Sequence, residues 1–296
     1  MNKKTDKKWY IILFFTMMIW GTQPPIIRSL KDISQFNVAL INLTSGFIIL
    51  LIFSIFSKTK LNIDKKDFSK IFVIGILLAM LPGVIINLGI QKTSSMVGSI
   101  IVNTNPIFVA LLVMLFGIEK LDLKKLGLII LGFISMTFVV IGGKSSSLDV
   151  SYIGILYLFI SALSIALGTV LSVQIIKKYG SFKTTFYLTT IGFIGILLMN
   201  IINGDIVQLF SLSLKQVLLA SYMGIFTSAL VVYVFNMSLL YIPTTNASIF
   251  KLFIPVFATT YGIIFLEEVL NIYIVIGSLI LFSSIIMIRR LKPTKI

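Results

Sequence analysis

The chain has 296 residues, of which 57% are hydrophobic and 12% charged, and its mean hydropathy is +1.07. A single soluble core could not hide so much apolar surface, so the composition predicts a membrane protein. The chain contains no cysteine and no histidine, which excludes disulfides, thiolate metal sites and histidine-based metal binding or acid–base catalysis.

Ten apolar stretches are long enough to cross a membrane, which takes roughly 20 mostly apolar residues each. These predicted spans 1 to 10 are residues 9–28, 37–57, 68–90, 94–116, 123–142, 152–175, 183–202, 214–240, 243–265 and 269–288. The basic residues before span 1 resemble the start of a signal peptide. However, no small-residue cleavage site follows and the apolar run is too long, so we expect span 1 to be retained. The predicted fold class is an all-α polytopic membrane protein with ten transmembrane helices.

The distribution of lysine and arginine predicts the orientation. A net charge of +15 could suggest a nucleic-acid partner, but the basic residues concentrate in alternate loops. If the N-terminus is cytoplasmic, 19 of the 25 basic residues fall on the cytoplasmic side, five fall outside, and Lys251 lies within a span. Because cytoplasmic loops carry an excess of Lys and Arg, we expect a plasma-membrane protein with both termini in the cytoplasm, and no nucleic-acid partner.

The chain also contains an internal repeat. Residues 87–122 align with residues 236–271, and a weaker similarity aligns Gly21-Thr22 with Gly168-Thr169. The matches include four polar or proline pairs, which are Asn87/Asn236, Ser99/Ser248, Pro106/Pro255 and Glu119/Glu268. Chance similarity between apolar helices is the alternative explanation. Five helices per copy is an odd number, so the second copy would enter the membrane from the opposite side, as in the inverted repeats of secondary transporters. The predicted domains are residues 9–142 (spans 1–5) and 152–290 (spans 6–10).

Three segments carry a resemblance to a known family. The segments TNPIFVALLVMLFGIEKL, KLFIPVFATTYGIIFLEEVL and WGTQPPIIRSL resemble the EamA repeat of the drug/metabolite transporter superfamily over nearly the whole chain. One departure is that Gly277 follows Glu268 by nine residues whereas Gly127 follows Glu119 by eight. The resemblance implies a ten-helix transporter, often an exporter of amino acids or related metabolites, with a central cavity bordered by spans 1, 3, 4, 6, 8 and 9.

Lys251 is the main candidate for substrate binding. It lies eight residues after Pro243, or roughly 12 Å along a helix, within a hydrocarbon core of ~30 Å. A charge at the bilayer centre costs at least ~2.5–3.5 kcal/mol, so it usually faces a cavity or a partner. We expect Lys251 to bind an anionic group of the substrate or to carry a coupling proton. The alternatives are snorkelling to the interface and a structural bond to carbonyls that Pro255 frees.

Other polar or aromatic side chains inside the spans are weaker candidates. The further candidate substrate-binding residues are Trp20, Asn87, Asn103, Asn105, Tyr233, Asn236 and Ser248. The candidates for helix breaks or gates are Pro24, Pro106, Pro255, Glu119 and Glu268. Tyr233 precedes Asn236 by three residues, so we expect both on one helix face. Each of these residues could instead pack, bond across helices or cap a solvated helix end.

Three other functions compete with a metabolite transporter. An intramembrane enzyme would need paired acids, metal ligands or a nucleophile with a base, and the spans contain none of these sets, so no catalytic or metal site is expected. A channel fits poorly with an inverted repeat and one central charge. An exporter of lipophilic cations or drugs, the nearest alternative, would need a carboxylate within the membrane. The expected partners are a small-molecule substrate, a coupling proton or counter-substrate, and the lipid bilayer, without a cofactor.

Overall fold

All secondary structure in the described residues is helical. The computed structural model describes residues 3–92, 101–118, 123–142, 151–266 and 272–290. Its α-helices are α1 (Lys3–Gly21), α2 (Gln23–Ser29), α3 (Gln35–Phe56), α4 (Lys65–Gly75), α5 (Leu81–Lys92), α6 (Asn105–Leu115), α7 (Leu123–Gly142), α8 (Tyr152–Tyr179), α9 (Ser181–Asn203), α10 (Leu214–Tyr222), α11 (Val231–Ser238), α12 (Thr244–Ile249), α13 (Phe253–Leu266) and α14 (Ile272–Arg290). Two π-helices (Ile76–Met80 and Met223–Leu230) and two 3₁₀-helices (Asp205–Ser211 and Phe250–Leu252) join some of them.

Within the described residues, six helical stretches are long and apolar enough to cross a membrane. They are Lys8–Ile27, Gln35–Phe56, Lys65–Ile90, Tyr152–Tyr179, Ser181–Asn203 and Leu214–Ser238, which correspond to predicted spans 1, 2, 3, 6, 7 and 8. Large apolar side chains such as Phe56 and Leu115 are exposed on the outside of the bundle. An apolar outer surface is what contact with lipid requires. The class of an all-helical membrane protein is therefore confirmed.

Predicted span 9 is broken, which corrects the expectation of one long apolar helix over residues 246–265. Helix α12 ends at Ile249, a 3₁₀ turn covers Phe250–Leu252, and α13 begins at Phe253. Pro255 has no backbone N–H, and its ring clashes with the carbonyl four residues earlier, which belongs to Lys251. The backbone therefore tightens to 3₁₀ geometry at the residue that carries the charge.

Two other breaks also lie beside prolines. Span 1 is interrupted at Thr22, where Pro24 occupies the first turn of α2. In span 4, helix α6 begins at Asn105 with Pro106 in its first turn. Proline is tolerated in the first turn of a helix because the N–H there has no partner within the helix.

The two π-helices interrupt spans 3 and 8 at equivalent places. The first π-helix, Ile76–Met80, joins α4 to α5, and the second, Met223–Leu230, joins α10 to α11. Advancing the first by the repeat offset places it at residues 225–229, inside the second. Wide π turns inside α-helices are rare and often occur at functional sites.

Helices α3 and α9 pack along each other and are linked at both ends. At the start of α3, the Ser34 hydroxyl donates to Asp205 at 2.7 Å, and the Ser34 backbone N–H donates to Gln208 at 2.9 Å. At the other end, the Lys178 ammonium donates to the carboxylates of Asp64 and Asp67. Lys178 also holds the pKa of the exposed Asp64 below its ordinary value, through a hydrogen bond and charge attraction. These contacts join the segments that flank α3 to the segments that flank α9.

The remaining helices pack against one another in further pairs. Helix α7 packs along α14, α5 along α8, α6 along α8, and α1 along α13. The largest apolar cluster joins α1 to α11, α12 and α13 through side chains such as Leu13, Met17 and Phe235. Helix α3 also crosses the second π-helix closely. A Cβ atom on Gly224 of the π-helix would overlap the backbone carbonyl oxygen of Asn42 on α3.

Candidate functional site

A central cavity lies where the interrupted helices meet. It contains about 1090 Å³ of space not filled by protein atoms, part of which is open to solvent. Its walls come from α1, α2, α3, α5, α8, α9, α11, both π-helices and the 3₁₀ turn at Lys251. Its lining is mostly apolar with a few polar side chains, as is usual for binding sites of small molecules.

Lys251 lines this cavity and is only 6% exposed. Its ammonium nitrogen lies 4.4 Å from the ring centroid of Phe235 and 5.3 Å from that of Trp20. The two rings meet edge to face, with centroids 6.0 Å apart. Within the described part of the chain, no carboxylate forms an ion pair with Lys251. The ammonium is therefore held by two aromatic faces and remains available to an anion.

The electrostatics of the cavity favour a negative ligand. Among its described lining residues there is one cation, Lys251, and no aspartate or glutamate. A cation over an aromatic face gains only ~0.5–2 kcal/mol, whereas burying an unpaired charge costs several kcal/mol. A carboxylate or similar anion that entered the cavity would supply the missing countercharge.

Four of the predicted substrate-binding residues lie together here: Lys251, Trp20, Asn87 and Asn236. The two amides already make hydrogen bonds. The Asn87 side chain donates to the backbone oxygen of Gly83 at 3.0 Å, and that of Asn236 donates to the Thr185 hydroxyl at 2.9 Å. Each amide has therefore used one donor to fix its own orientation.

The other four predicted residues do not line the cavity: Asn103, Asn105, Tyr233 and Ser248. Asn105 donates instead to the backbone of Ala162 at 3.4 Å. The Tyr233 ring packs against Phe182, with ring centroids 6.1 Å apart. Three residues fall about 60° short of a full helical turn, and this difference carries Tyr233 past the edge of the cavity face that Asn236 occupies. The gate candidates Glu119 and Glu268 lie outside the described residues.

The walls also differ from the expected set of spans. Spans 2 and 7, present as α3 and α9, line the cavity, whereas the described part of span 4, residues 101–116, does not. Helix α6 of span 4 packs against α8 and α12 instead. Sequence analysis missed Phe235, which the apolar composition of its helix conceals, and Asn42, which is one of several polar residues in the first half of span 2.

Comparison with known proteins gives consistent similarities. The model of a family described as the EamA-like transporter family matches residues 7–141 and again residues 152–290. An uncharacterized transporter of Archaeoglobus fulgidus is 28% identical over 96% of this chain and 99% of its own length. A second uncharacterized transporter, from Clostridium kluyveri, is 26% identical over 94% of each chain.

Two further similarities extend the comparison to a plant protein and to a solved structure. A chloroplastic WAT1-related protein of Arabidopsis thaliana is 26% identical over 95% of this chain and 69% of its own. One crystal structure shares the fold, with a TM-score of 0.77 over 97% of this chain and 99% of the other, at 14% identity.

Proposed function

This chain belongs to the EamA-like transporter family, and we propose that it is a secondary transporter that exports or exchanges small carboxylate-bearing metabolites, such as amino acids, by alternating access. Family membership makes it a multi-pass membrane transporter with a small-molecule substrate, and not an enzyme. The carboxylate, the direction and the mechanism are the proposal.

The observation that carries the proposal is the state of Lys251. Its ammonium is buried in the cavity wall, above two aromatic faces, with no carboxylate paired to it among the described residues. A charge kept in this state inside a membrane protein marks a ligand path far more often than a packing position. Lys251 would bind the anionic group of the substrate, or it would carry the coupling proton. Trp20 and Phe235 would contact the apolar part of the substrate, while Asn87 and Asn236 would complete the polar wall.

Alternating access in this proposal rests on two inverted five-helix repeats, residues 9–142 and 152–290, which together form ten transmembrane helices. Three observations support it. The family model matches two segments with nearly these bounds. The two π-helices lie at equivalent positions. The matched asparagines Asn87 and Asn236 both line the cavity. In the proposed topology both termini are cytoplasmic and the protein resides in the plasma membrane.

Reconstituted protein tests this function directly. Proteoliposomes preloaded with an amino acid or a simple carboxylate should take up the same labelled compound by saturable counterflow. The matched control is the primary amide of each compound, in which an uncharged amide group replaces the carboxylate, and it should not be exchanged. Faster exchange of lipophilic cations than of any carboxylate would contradict the proposal and favour the cation-exporter alternative.

A further inference from the structure

Three asparagines line the cavity, and they differ in how their amides are satisfied. The side chains of Asn87 and Asn236 donate hydrogen bonds to neighbouring protein atoms. Asn42 also lines the cavity and is only 9% exposed, but its Oδ1 atom is buried without a hydrogen-bond partner among the described residues. A buried carbonyl oxygen without a donor is destabilising, so most such groups in proteins are paired.

Packing explains why Asn42 stays where it is. It lies on α3 where this helix crosses the second π-helix. A Cβ atom on Gly46 would come within 3.0 Å of the backbone carbonyl oxygen of Gly224. A Cβ atom on Gly224 would overlap the backbone carbonyl oxygen of Asn42. Glycines on both helices therefore let the two backbones meet, and this contact fixes the Asn42 backbone against the cavity. The side-chain amide can still turn about its Cβ–Cγ bond, because such terminal torsions are broad.

We propose that Asn42 is a specificity-determining residue, whose Oδ1 accepts a hydrogen bond from an N–H or O–H donor on the substrate. This inference rests on the proposed function, in which Lys251 binds the substrate carboxylate. Together the two residues select a bifunctional ligand, namely a carboxylate that also carries an ammonium or a hydroxyl group. A carboxylate without such a donor satisfies Lys251 and leaves the Asn42 oxygen unpaired.

A matched series of ligands separates the two contacts. The series consists of leucine and three counterparts. In two of them a hydroxyl group or a hydrogen replaces the ammonium, and in the third a keto oxygen replaces both the ammonium and the α-hydrogen. Equivalent series are built on alanine and phenylalanine. Binding to the full chain in detergent is followed by the fluorescence of Trp20. The background is Trp9→Phe, because Trp9 is the other of the two tryptophans.

We expect the protein with Asn42 intact to bind the ammonium and hydroxyl compounds roughly tenfold more tightly than the keto and unsubstituted compounds, which is the usual scale of one buried hydrogen bond. Asn42→Leu should remove this preference. The matched control is Asn200→Leu, and it should keep the preference. This change removes a buried amide that has no hydrogen-bond partner among the described residues and does not line the cavity.

A second variant guards against misfolding of Asn42→Leu. Asn42→Asp keeps the shape and makes the acceptor negatively charged, so it should increase the preference for the ammonium compound over both the hydroxyl and the keto compounds. If both Asn42 variants bind all four compounds in the original ratios, Asn42 does not select the substrate and the inference is wrong. If instead no series binds, or Lys251→Met leaves every affinity unchanged, the proposed carboxylate function fails as well.

Discussion

Replacing Lys251 with methionine should separate the function of this residue from its role in stability. The change removes the ammonium and keeps an unbranched side chain of similar length. A hydrogen bond to a charged group contributes ~1.5–3 kcal/mol, so its loss should weaken the apparent affinity for a carboxylate roughly ten- to hundredfold. Transport at low substrate concentration should fall by the same factor.

The same substitution should leave the free energy of unfolding almost unchanged. A lysine within the membrane costs ~2.5–3.5 kcal/mol. The aromatic faces of Trp20 and Phe235, at 5.3 Å and 4.4 Å from the ammonium, each return ~0.5–2 kcal/mol. The two faces therefore offset much, but not all, of the cost, and methionine fills irregular apolar space well. We therefore expect a change of about 1 kcal/mol or less, of either sign.

Counterflow in proteoliposomes and thermal unfolding in detergent measure the two effects on the same preparations. The control is Lys215→Met, which removes an exposed lysine at the start of α10 and should alter neither quantity. Lys251→Arg should transport poorly, because the guanidinium is bulkier and does not release its proton. Wild-type transport by Lys251→Met, with an unchanged pH dependence, would refute the assignment. So would a stability loss of several kcal/mol, which would make Lys251 a structural residue.

Three further predictions test the packing, the topology and the loop contacts. Gly224→Ala should destabilise the protein by ~1–3 kcal/mol in thermal unfolding because its methyl group overlaps the facing backbone, whereas Gly127→Ala, with open space around it, should be neutral or mildly stabilising. The chain has no cysteine, so a cysteine placed at Asn203 should react with a membrane-impermeant reagent from outside the cell and one at Ser57 should not; the reverse pattern would overturn the orientation. Asp64→Asn should lower the melting temperature at neutral pH, and the difference should vanish as the pH falls through the lowered pKa of Asp64, since the contribution of a carboxylate with a depressed pKa is present only above it. A difference that persists in acid would show that the ion pair is not its cause.

Part of the site was predictable from the sequence, because charge and proline act locally. Lys251 is a charged residue in an apolar span. Pro255 predicts that the helical hydrogen bonding is broken at the residue four positions earlier. The asparagine pair Asn87 and Asn236 followed from the repeat. The structure places all three polar residues at the cavity.

The rest depends on helical phase and on distant packing, which a linear pattern does not contain. Tyr233 and Asn236 are close in sequence, yet the cavity face ends between them. Phe235 is one phenylalanine among 24, and only the approach of Lys251 gives it a special role. Asn42 became a candidate only when the structure showed its Oδ1 unpaired among the described residues and its helix in contact with Gly224.

The π-helix at Met223–Leu230 also determines how far α11, which follows it directly, is rotated about the helix axis. Each residue of an α-helix turns the chain by about 100° and advances it by ~1.5 Å. A π turn holds about one residue more than an α turn, so winding the same residues into α geometry would rotate α11 through about that angle. Phe235 and Asn236 would then turn away from the cavity while Lys251 stayed beyond the next loop, whereas deleting one residue within the π-helix would keep them facing it. The extra residue in the π-helix therefore fixes the rotation of α11 relative to α10. This rotation lets α10 pack against its neighbours while Phe235 and Asn236 on α11 face the ligand.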